Sequence, residues 1–66
     1  MRYFERQRHE FITQFIKEHG WINRPAICEK FGISLMQASH DIKKWQELNP
    51  EWIAYNTVSK RYEAES

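Results

Sequence analysis

The chain has 66 residues with a formal net charge of +1, and it contains four Phe, three Trp, three Tyr and a single Cys. This length allows one small domain, and one cysteine excludes an internal disulfide and fits a reducing cytoplasm. No apolar run is long enough to span a membrane, and the first residues do not have the pattern of a signal peptide.

The first helix is predicted over residues 3–19. Its apolar side chains recur at helical spacing and form one stripe, which is interpreted as core. The stripe consists of Phe4, Phe11, Ile12, Phe15 and Ile16. In an alternative interpretation, Tyr3 and Phe4, at the start of the helix, help to form a dimer surface. Gly20 ends the helix, and the short apolar pair Trp21-Ile22 is expected to add a brief strand to a small sheet.

A second helix is predicted over residues 24–31. Asn23 is suited to be its N-cap, and Pro25 falls in the first turn, where the missing N–H costs nothing. Cys28 on this helix is interpreted as a small buried side chain rather than a reactive thiol. Gly32 can adopt the left-handed conformation that closes a helix at low cost, so a tight turn is expected there.

The third helix is predicted over residues 35–48. Ser34 can cap it, and Gln37 can complete a capping box. Three apolar residues at helical spacing are expected to face inward, namely Ala38, Ile42 and Trp45. Asn49-Pro50 ends the helix, because a residue before proline avoids the helical region. A helix, a glycine turn and a second helix with a polar surface is the pattern of a DNA-reading helix-turn-helix.

A β-hairpin is predicted over residues 52–64. Residues 52–55 are rich in strand formers, residues 56–59 suit a hairpin loop, and residues 60–64 form the returning strand. Helix, brief strand, helix, helix and hairpin is the element order of a winged helix-turn-helix, in which the hairpin is the wing. The predicted fold class is therefore mostly α with a small β-hairpin, three helices plus a two- to three-stranded wing sheet, in a single domain over residues 1–66.

Several segments carry a resemblance to a known family. They are the run Asn23–Ser34, the groups Gln37-Ala38-Ser39 and Asp41-Ile42, then Pro50, Tyr55 and Lys60-Arg61-Tyr62. Together they resemble the N-terminal winged helix-turn-helix domain of WYL-domain transcriptional regulators, above all those that control bacterial phage-defence operons. More loosely, Ser34 and Asp41-Ile42 match a pattern of the DeoR-type helix-turn-helix. The resemblance implies DNA binding and transcription regulation.

The departure from that family is length, because those regulators continue into a ligand-sensing WYL domain and a dimerising C-terminal extension. Effector sensing is therefore not carried over, and the family's main dimer elements are missing. The chain is expected to be either a small stand-alone regulator or a domain cut from a longer one.

The predicted DNA chemistry centres on the third helix, placed in the major groove with its N-terminal half toward the base edges. The residues assigned to base reading are Met36, Gln37, Ser39, His40 and Lys43. Gln37 can pair with adenine through two hydrogen bonds, and Met36 can pack on a thymine methyl group. His40 and Lys43 can donate to guanine, and Ser39 can bond to a base or a phosphate.

Phosphate contacts are assigned to a second group of side chains, which lie around that helix and on the wing. The group consists of Arg24, Ser34, Lys44, Lys60 and Arg61. Residues 24–46 hold four basic and two acidic side chains, and residues 56–61 hold two basic side chains and no acid. Because a DNA-binding face needs local rather than overall positive charge, this distribution favours the assignment.

Each of these assignments has a simpler alternative. The alternative for Ser34 and Gln37 is that they only cap the helix. The alternative for Lys43 and Lys44 is that they form an ordinary solvated face. Asp41 is an acid on a helix that is expected to face DNA. It is therefore predicted to pair with Arg24 or another basic side chain rather than to meet DNA.

Metal binding and catalysis have little support in the sequence. His9, His19 and His40 are far apart, and no spacing typical of metal ligands occurs. No nucleophile–base pair or glycine-rich phosphate loop is recognisable. The chain is therefore predicted not to be an enzyme and to need no metal, other cofactor or small-molecule ligand.

The leading functional prediction is a cytoplasmic, sequence-specific DNA-binding transcriptional regulator, a repressor that binds an inverted repeat as a homodimer. A single winged helix covers too little DNA for tight specific binding, so two copies on a palindrome are expected. One alternative is a winged-helix protein-interaction adaptor, which the weak net charge and the apolar residues Tyr3, Phe4 and Trp52 favour. The other is an architectural or excisionase-like protein that bends DNA.

Overall fold

The computed structural model describes residues 2–65, so Met1 and Ser66 lie outside the described residues. The elements are α1 (Tyr3–His19), β1 (Trp21–Ile22), α2 (Arg24–Phe31), α3 (Leu35–Leu48), β2 (Ile53–Asn56) and β3 (Arg61–Ala64). Three helices and a three-stranded antiparallel sheet confirm the predicted fold class.

Two glycines end the first two helices. Gly20 follows α1 with φ 79°, and its N–H donates to the carbonyl oxygen of Ile16 at 2.7 Å. Gly32 follows α2 with φ 65°, and its N–H donates to the carbonyl oxygen of Cys28 at 2.7 Å. A side chain with a Cβ is disfavoured at both positions, because left-handed backbone is strained for other L-residues. The second of these turns sets the angle between α2 and α3.

Side-chain caps begin α2 and α3. Asn23 Oδ1 accepts from the N–H of Ala26 at 2.9 Å, and Ser34 Oγ accepts from the N–H of Gln37 at 3.1 Å. Each bond satisfies a backbone donor that has no partner within its helix. The predicted capping box is only half formed, because the Gln37 side chain bonds to Asp41 rather than back to Ser34.

The core lies between the three helices and the sheet. Its buried apolar members are Ile12, Ile16, Ile22, Ile27, Ala38, Ile42, Trp45 and Ile53. Trp45 is the largest of them and is 1% exposed. Its indole N–H donates to Thr13 Oγ1 at 2.9 Å, and Trp52 packs edge-on against its ring. Cys28 is half-buried and packs against this core, as a small filling residue would.

Phe4 was expected in the core, and this expectation is wrong, because its side chain is 73% exposed. Phe4 shares a side of α1 with Phe11, which lies two turns further along. Phe11 is covered by Phe31 with ring centroids 5.5 Å apart, but Phe31 is the last residue of α2. Phe4 lies two turns before the residue that α2 covers, and its ring packs edge-on against Tyr3.

The sheet has the strand order β1-β3-β2. The predicted brief strand is present, with Trp21 opposite Glu63 and Ile22 opposite Tyr62. On the other side of β3, Tyr55 lies opposite Tyr62, and their rings are 4.9 Å apart. Because the two-residue β1 follows α1 directly, the wing is attached to the helical part of the fold through the sheet.

The wing turn differs in detail from the sequence prediction. Asn56 ends β2, where a loop residue was expected, and Lys60 belongs to the turn, where a strand residue was expected. Asn56 Oδ1 accepts from the N–H groups of Val58 and Ser59 at 2.8 and 3.2 Å, which folds the chain back immediately. Lys60 then takes a left-handed conformation with φ 58° and donates its N–H to the Asn56 carbonyl oxygen.

Candidate nucleic-acid interface

The outward side of α3 carries three exposed side chains, Met36, His40 and Lys43, which are called the α3 stripe below. They are spaced by four and three residues, so they lie along one side of the helix. Met36 is 83% exposed, and the other two are also exposed. Glu47 is the next exposed residue in this register, and its negative charge would repel phosphate. The surface suited to DNA therefore lies on the part of α3 before Glu47.

Ser39 lies on the side of α3 that faces α2. It is half-buried, and its Oγ is 3.4 Å from Nη1 of Arg24, the first residue of α2. Arg24 itself is exposed. The fold thus brings a predicted base-reading hydroxyl and a predicted phosphate-binding guanidinium to adjoining positions beside the α3 stripe.

Gln37 lies on the opposite side of α3, which faces α1. Its Nε2 donates to Asp41 Oδ1 at 3.1 Å. Asp41 is 1% exposed and also accepts two hydrogen bonds from Arg8, at 2.5 Å from Nε and 3.3 Å from Nη2. The acid was expected to pair with Arg24 or another basic side chain, and its partner is Arg8 of α1.

Lys44 is paired with an acid on α1. Its Nζ lies 2.6 Å from Glu5 Oε1, and the Lys44 side chain is 43% exposed. This contact, chiefly as a hydrogen bond, holds the pKa of Glu5 below its ordinary value. Lys44 therefore remains accessible to a phosphate, but part of its charge is already compensated.

The two basic residues of the wing have different surroundings. Arg61 donates from Nε to Glu63 Oε2 at 3.0 Å, and its guanidinium carbon lies 4.7 Å from the ring centroid of Trp21. Lys60 lies in the exposed turn and makes no salt bridge within the described residues. Next to it, Val58 is 91% exposed. Of the two predicted phosphate contacts on the wing, Lys60 is the less engaged.

The carboxylate of Glu63 accepts hydrogen bonds from three other side chains of the wing. It accepts hydrogen bonds from Asn56 Nδ2 at 2.9 Å, from Arg61 Nε at 3.0 Å and from Ser59 Oγ at 3.1 Å. These bonds, that from Asn56 most of all, lower the pKa of Glu63. Both strands and the turn thus donate to one carboxylate, which links the three parts of the wing.

Sequence reasoning missed the contribution of α1 to this surface. On α1, Arg8 forms an ion pair with Asp41, and Glu5 forms one with Lys44. His9, on the same helix, is buried. The spacing of Gln37 and Asp41, four residues apart on one helix, could have indicated their contact. The partner Arg8 is 33 residues from Asp41, and no local pattern indicates such a pair.

Neither a metal-binding group nor a membrane-spanning helix occurs among residues 2–65. Residues 2–65 contain no group of three or more His, Cys, Asp or Glu side chains that could hold a metal ion. Within the same range, no helix is both long and apolar enough to cross a membrane. A shallow apolar groove lies between α1, β1 and α2, but none of its lining residues belongs to α3.

The capped α2–turn–α3 unit, the exposed α3 stripe and the ordered hairpin define a winged helix-turn-helix domain. The chain belongs to the family of winged helix-turn-helix domains of BrxR transcriptional regulators, whose model matches residues 5–66. This membership confirms the resemblance to regulators of that kind.

Two curated relatives are both named DNA-binding transcriptional repressor CapW. The one from Escherichia coli strain KTE188 is 36% identical over 61 residues, which are 92% of this chain and 20% of the relative. The one from Pseudomonas aeruginosa is 36% identical over 63 residues, which are 96% of this chain and 21% of the relative. The chain therefore spans about a fifth of the length of these relatives.

Proposed function

We propose that this chain is a sequence-specific DNA-binding domain that acts in transcriptional repression, with α3 in the major groove. The observation that carries the proposal is the α3 stripe, an exposed row of one thioether, one imidazole and one ammonium group on a winged helix-turn-helix. Matches to relatives named as DNA-binding repressors support it. The role is recognition of DNA rather than catalysis.

In this proposal the α3 stripe and its two flanks read the bases. His40 and Lys43 donate to guanine acceptors, and Met36 packs on a thymine methyl group. Gln37 and Ser39 contact bases on either side of the stripe. The exposed stripe lies between these two half-buried side chains, and an α-helix in the major groove presents such a surface to base edges.

Phosphate contacts surround this reading surface. Ser34 at the N-terminus of α3 offers a hydroxyl and a favourable helix dipole, and Arg24 contributes from its position beside Ser39. Lys44 contributes from the α1 side. On the wing, Lys60 makes the stronger contact, because the charge of Arg61 is shared with Glu63.

We further propose that the domain binds an inverted repeat as two copies. One α3 reads a single half-site, and a pair of half-sites about one helical turn apart gives the affinity that a single winged helix lacks. Such a function is carried out in the cytoplasm, where bacterial DNA lies.

The test is selection of binding sites from a pool of random duplex DNA, followed by gel shifts with the selected sequence and with unselected DNA. The double variant His40→Ala with Lys43→Ala is expected to lose most of the preference for the selected sequence. The matched control, Lys17→Ala with His19→Ala, removes the same residue types from the exposed end of α1 and is expected to keep it. Equal binding of selected and unselected DNA by the unaltered protein would refute the proposal.

One observation favours a second function, a protein-interaction adaptor. Tyr3 and Phe4 form an exposed edge-to-face pair, 66% and 73% exposed, that the fold does not cover. An adaptor would show no sequence preference in the selection, and Tyr3→Ser with Phe4→Ser would then leave DNA binding unaltered while removing a protein contact.

A further inference from the structure

The buried acid Asp41 touches a predicted base-reading side chain directly. Asp41 lies one turn after Gln37 on α3, and α1 supplies Arg8 as its counter-ion. Its side chain is 1% exposed, and that of Arg8 is 17% exposed. An ion pair with so little water around it holds its geometry, because breaking it would leave a buried charge without a partner.

The chemistry of Asp41 fixes which end of the Gln37 amide faces it. An ionised carboxylate accepts hydrogen bonds and has none to donate, so the NH2 group of Gln37 must point toward it. The two carboxylate oxygens also accept hydrogen bonds from Nε and Nη2 of Arg8, so both oxygens of Asp41 act as acceptors. Two groups of the Gln37 amide therefore remain available to another partner. They are the carbonyl oxygen, as an acceptor, and the second N–H of the NH2 group, as a donor.

We propose that the Arg8–Asp41 ion pair is a positioning device that orients the Gln37 amide, so that Gln37 selects adenine over guanine. The proposal rests on the DNA-binding function proposed above. Adenine presents the N6 donor beside the N7 acceptor, which matches a carbonyl oxygen beside one N–H. Guanine presents two acceptors, O6 and N7, so the fixed carbonyl oxygen would face an acceptor. Arg8 and Asp41 thereby influence a base that they do not touch.

The first step of the test locates the base pair that Gln37 reads. Sites are selected from random duplex DNA with the unaltered chain and with Gln37→Ala, and the position whose preference disappears is identified. We expect adenine at that position. If the unaltered chain selects no sequence at all, the proposed function and this inference fail together. If a sequence is selected and Gln37 shows no preference for adenine, this inference alone fails.

The second step removes the fixed acceptor. In Asp41→Asn, the new amide can donate as well as accept, so the Gln37 amide is free to turn over. The ratio of affinities for adenine and guanine at that position is expected to fall roughly tenfold. Preferences at the positions read by His40 and Lys43 are expected to remain.

Glu5→Gln is the matched control. It makes the same change of charge at the same α1–α3 junction and breaks the neighbouring contact with Lys44, but it leaves Asp41 in place. We expect it to change the affinity for all sequences by a similar factor and to leave the adenine-to-guanine ratio intact. An equal, sequence-independent effect of Asp41→Asn and Glu5→Gln would overturn the inference.

Because Asp41→Asn leaves Arg8 without its counter-ion, which can prevent folding, a second variant replaces the whole pair. Arg8→Met with Asp41→Leu substitutes apolar side chains, a change that buried ion pairs often tolerate. It removes the acceptor, and the same loss of the adenine-to-guanine ratio is expected. In the free protein, NMR is expected to show slower exchange for the side-chain NH2 of Gln37 than for that of the exposed Gln14. Equal exchange at the two residues would overturn the inference without any DNA measurement.

Discussion

One hydrogen bond joins Trp45, in the C-terminal half of α3, to Thr13 of α1. The indole N–H of Trp45 donates to Thr13 Oγ1 at 2.9 Å, and the same hydroxyl donates to the carbonyl oxygen of His9 at 3.1 Å. The hydroxyl thus serves as acceptor and donor at once. This short chain of bonds connects α3, which carries the α3 stripe, to α1.

The first prediction concerns this link. Thr13→Val keeps the shape of the side chain but leaves the buried Trp45 N–H without an acceptor. We expect the free energy of unfolding to fall by about 1–3 kcal/mol, the usual cost of a buried unsatisfied donor. Urea denaturation followed by tryptophan fluorescence measures it. Thr13→Ser keeps the hydroxyl and should lose clearly less stability, and equal losses in the two variants would contradict this role of the hydroxyl.

The second prediction concerns the pH dependence of stability. His9 is 7% exposed, and its Nε2 has no hydrogen-bond partner among residues 2–65. Burial lowers the pKa of His9 from 6.5, although the nearby carboxylates of Asp41 and Glu5 oppose the shift. The unfolded chain therefore binds the proton more readily than the folded chain does. The contribution of neutral His9 to the free energy of unfolding should be fully present above the unfolded pKa of 6.5. It should be lost as the pH decreases below that value.

Unfolding free energies between about pH 7.5 and about pH 5 test this expectation. This window stays above the titration of Glu5 and Glu63, whose pKa values are lowered from 4.5. His9→Leu should flatten the dependence, because it removes the histidine whose pKa is lowered by burial. A stability that does not change between these pH values would contradict the assignment.

The third prediction compares two helix caps. In each, a side-chain oxygen accepts from the backbone N–H three residues later, but only one of the two helices is proposed to enter the groove. Ser34→Ala and Asn23→Ala each remove one capping acceptor, and each should cost about 1 kcal/mol of stability. Ser34 caps the helix proposed to enter the groove, so its loss should also weaken DNA binding through a lost phosphate contact. Asn23 begins α2, and its loss should affect stability alone. Thermal unfolding and gel shifts on the selected sequence measure the two effects. If both variants weaken binding equally, Ser34 acts only as a cap.

The fourth prediction concerns the wing turn. Lys60 adopts φ 58°, which is unfavourable for a residue with a Cβ, so Lys60→Gly should raise stability by about 1 kcal/mol. The same change removes a proposed phosphate contact. We expect weaker binding to all sequences and a salt slope reduced by about 1. Lys60→Arg keeps the charge and should retain binding. An unchanged salt slope in Lys60→Gly would remove Lys60 from the interface.

Features determined by neighbouring residues were predictable from the sequence. Asn23, Ser34, Gly20 and Gly32 mark helix ends because capping and left-handed turns depend on the residue at that position. The inward positions of Ala38, Ile42 and Trp45 follow from helical period, and all three are buried.

Features determined by distant residues were not predictable. Phe4 has the period of a core residue, but whether it is covered depends on where α2 ends. The partner of Asp41 depends on how α1 crosses α3, so Arg24 and Arg8 could not be distinguished as candidates. Lys60 was assigned to a strand because the side-chain bonds of Asn56 that tighten the turn are not evident from composition.

The pairing of basic side chains with acids on the same molecule bears on how the protein searches a genome. Of the ten Lys and Arg side chains, Arg8, Lys44 and Arg61 each have a carboxylate partner, which reduces the positive charge available to hold DNA of arbitrary sequence. Affinity for bulk DNA arises mainly from such charges, and a genome offers on the order of a million or more competing sites. If the proposed function holds, weaker binding to those sites leaves a larger share of the domain available for its specific site.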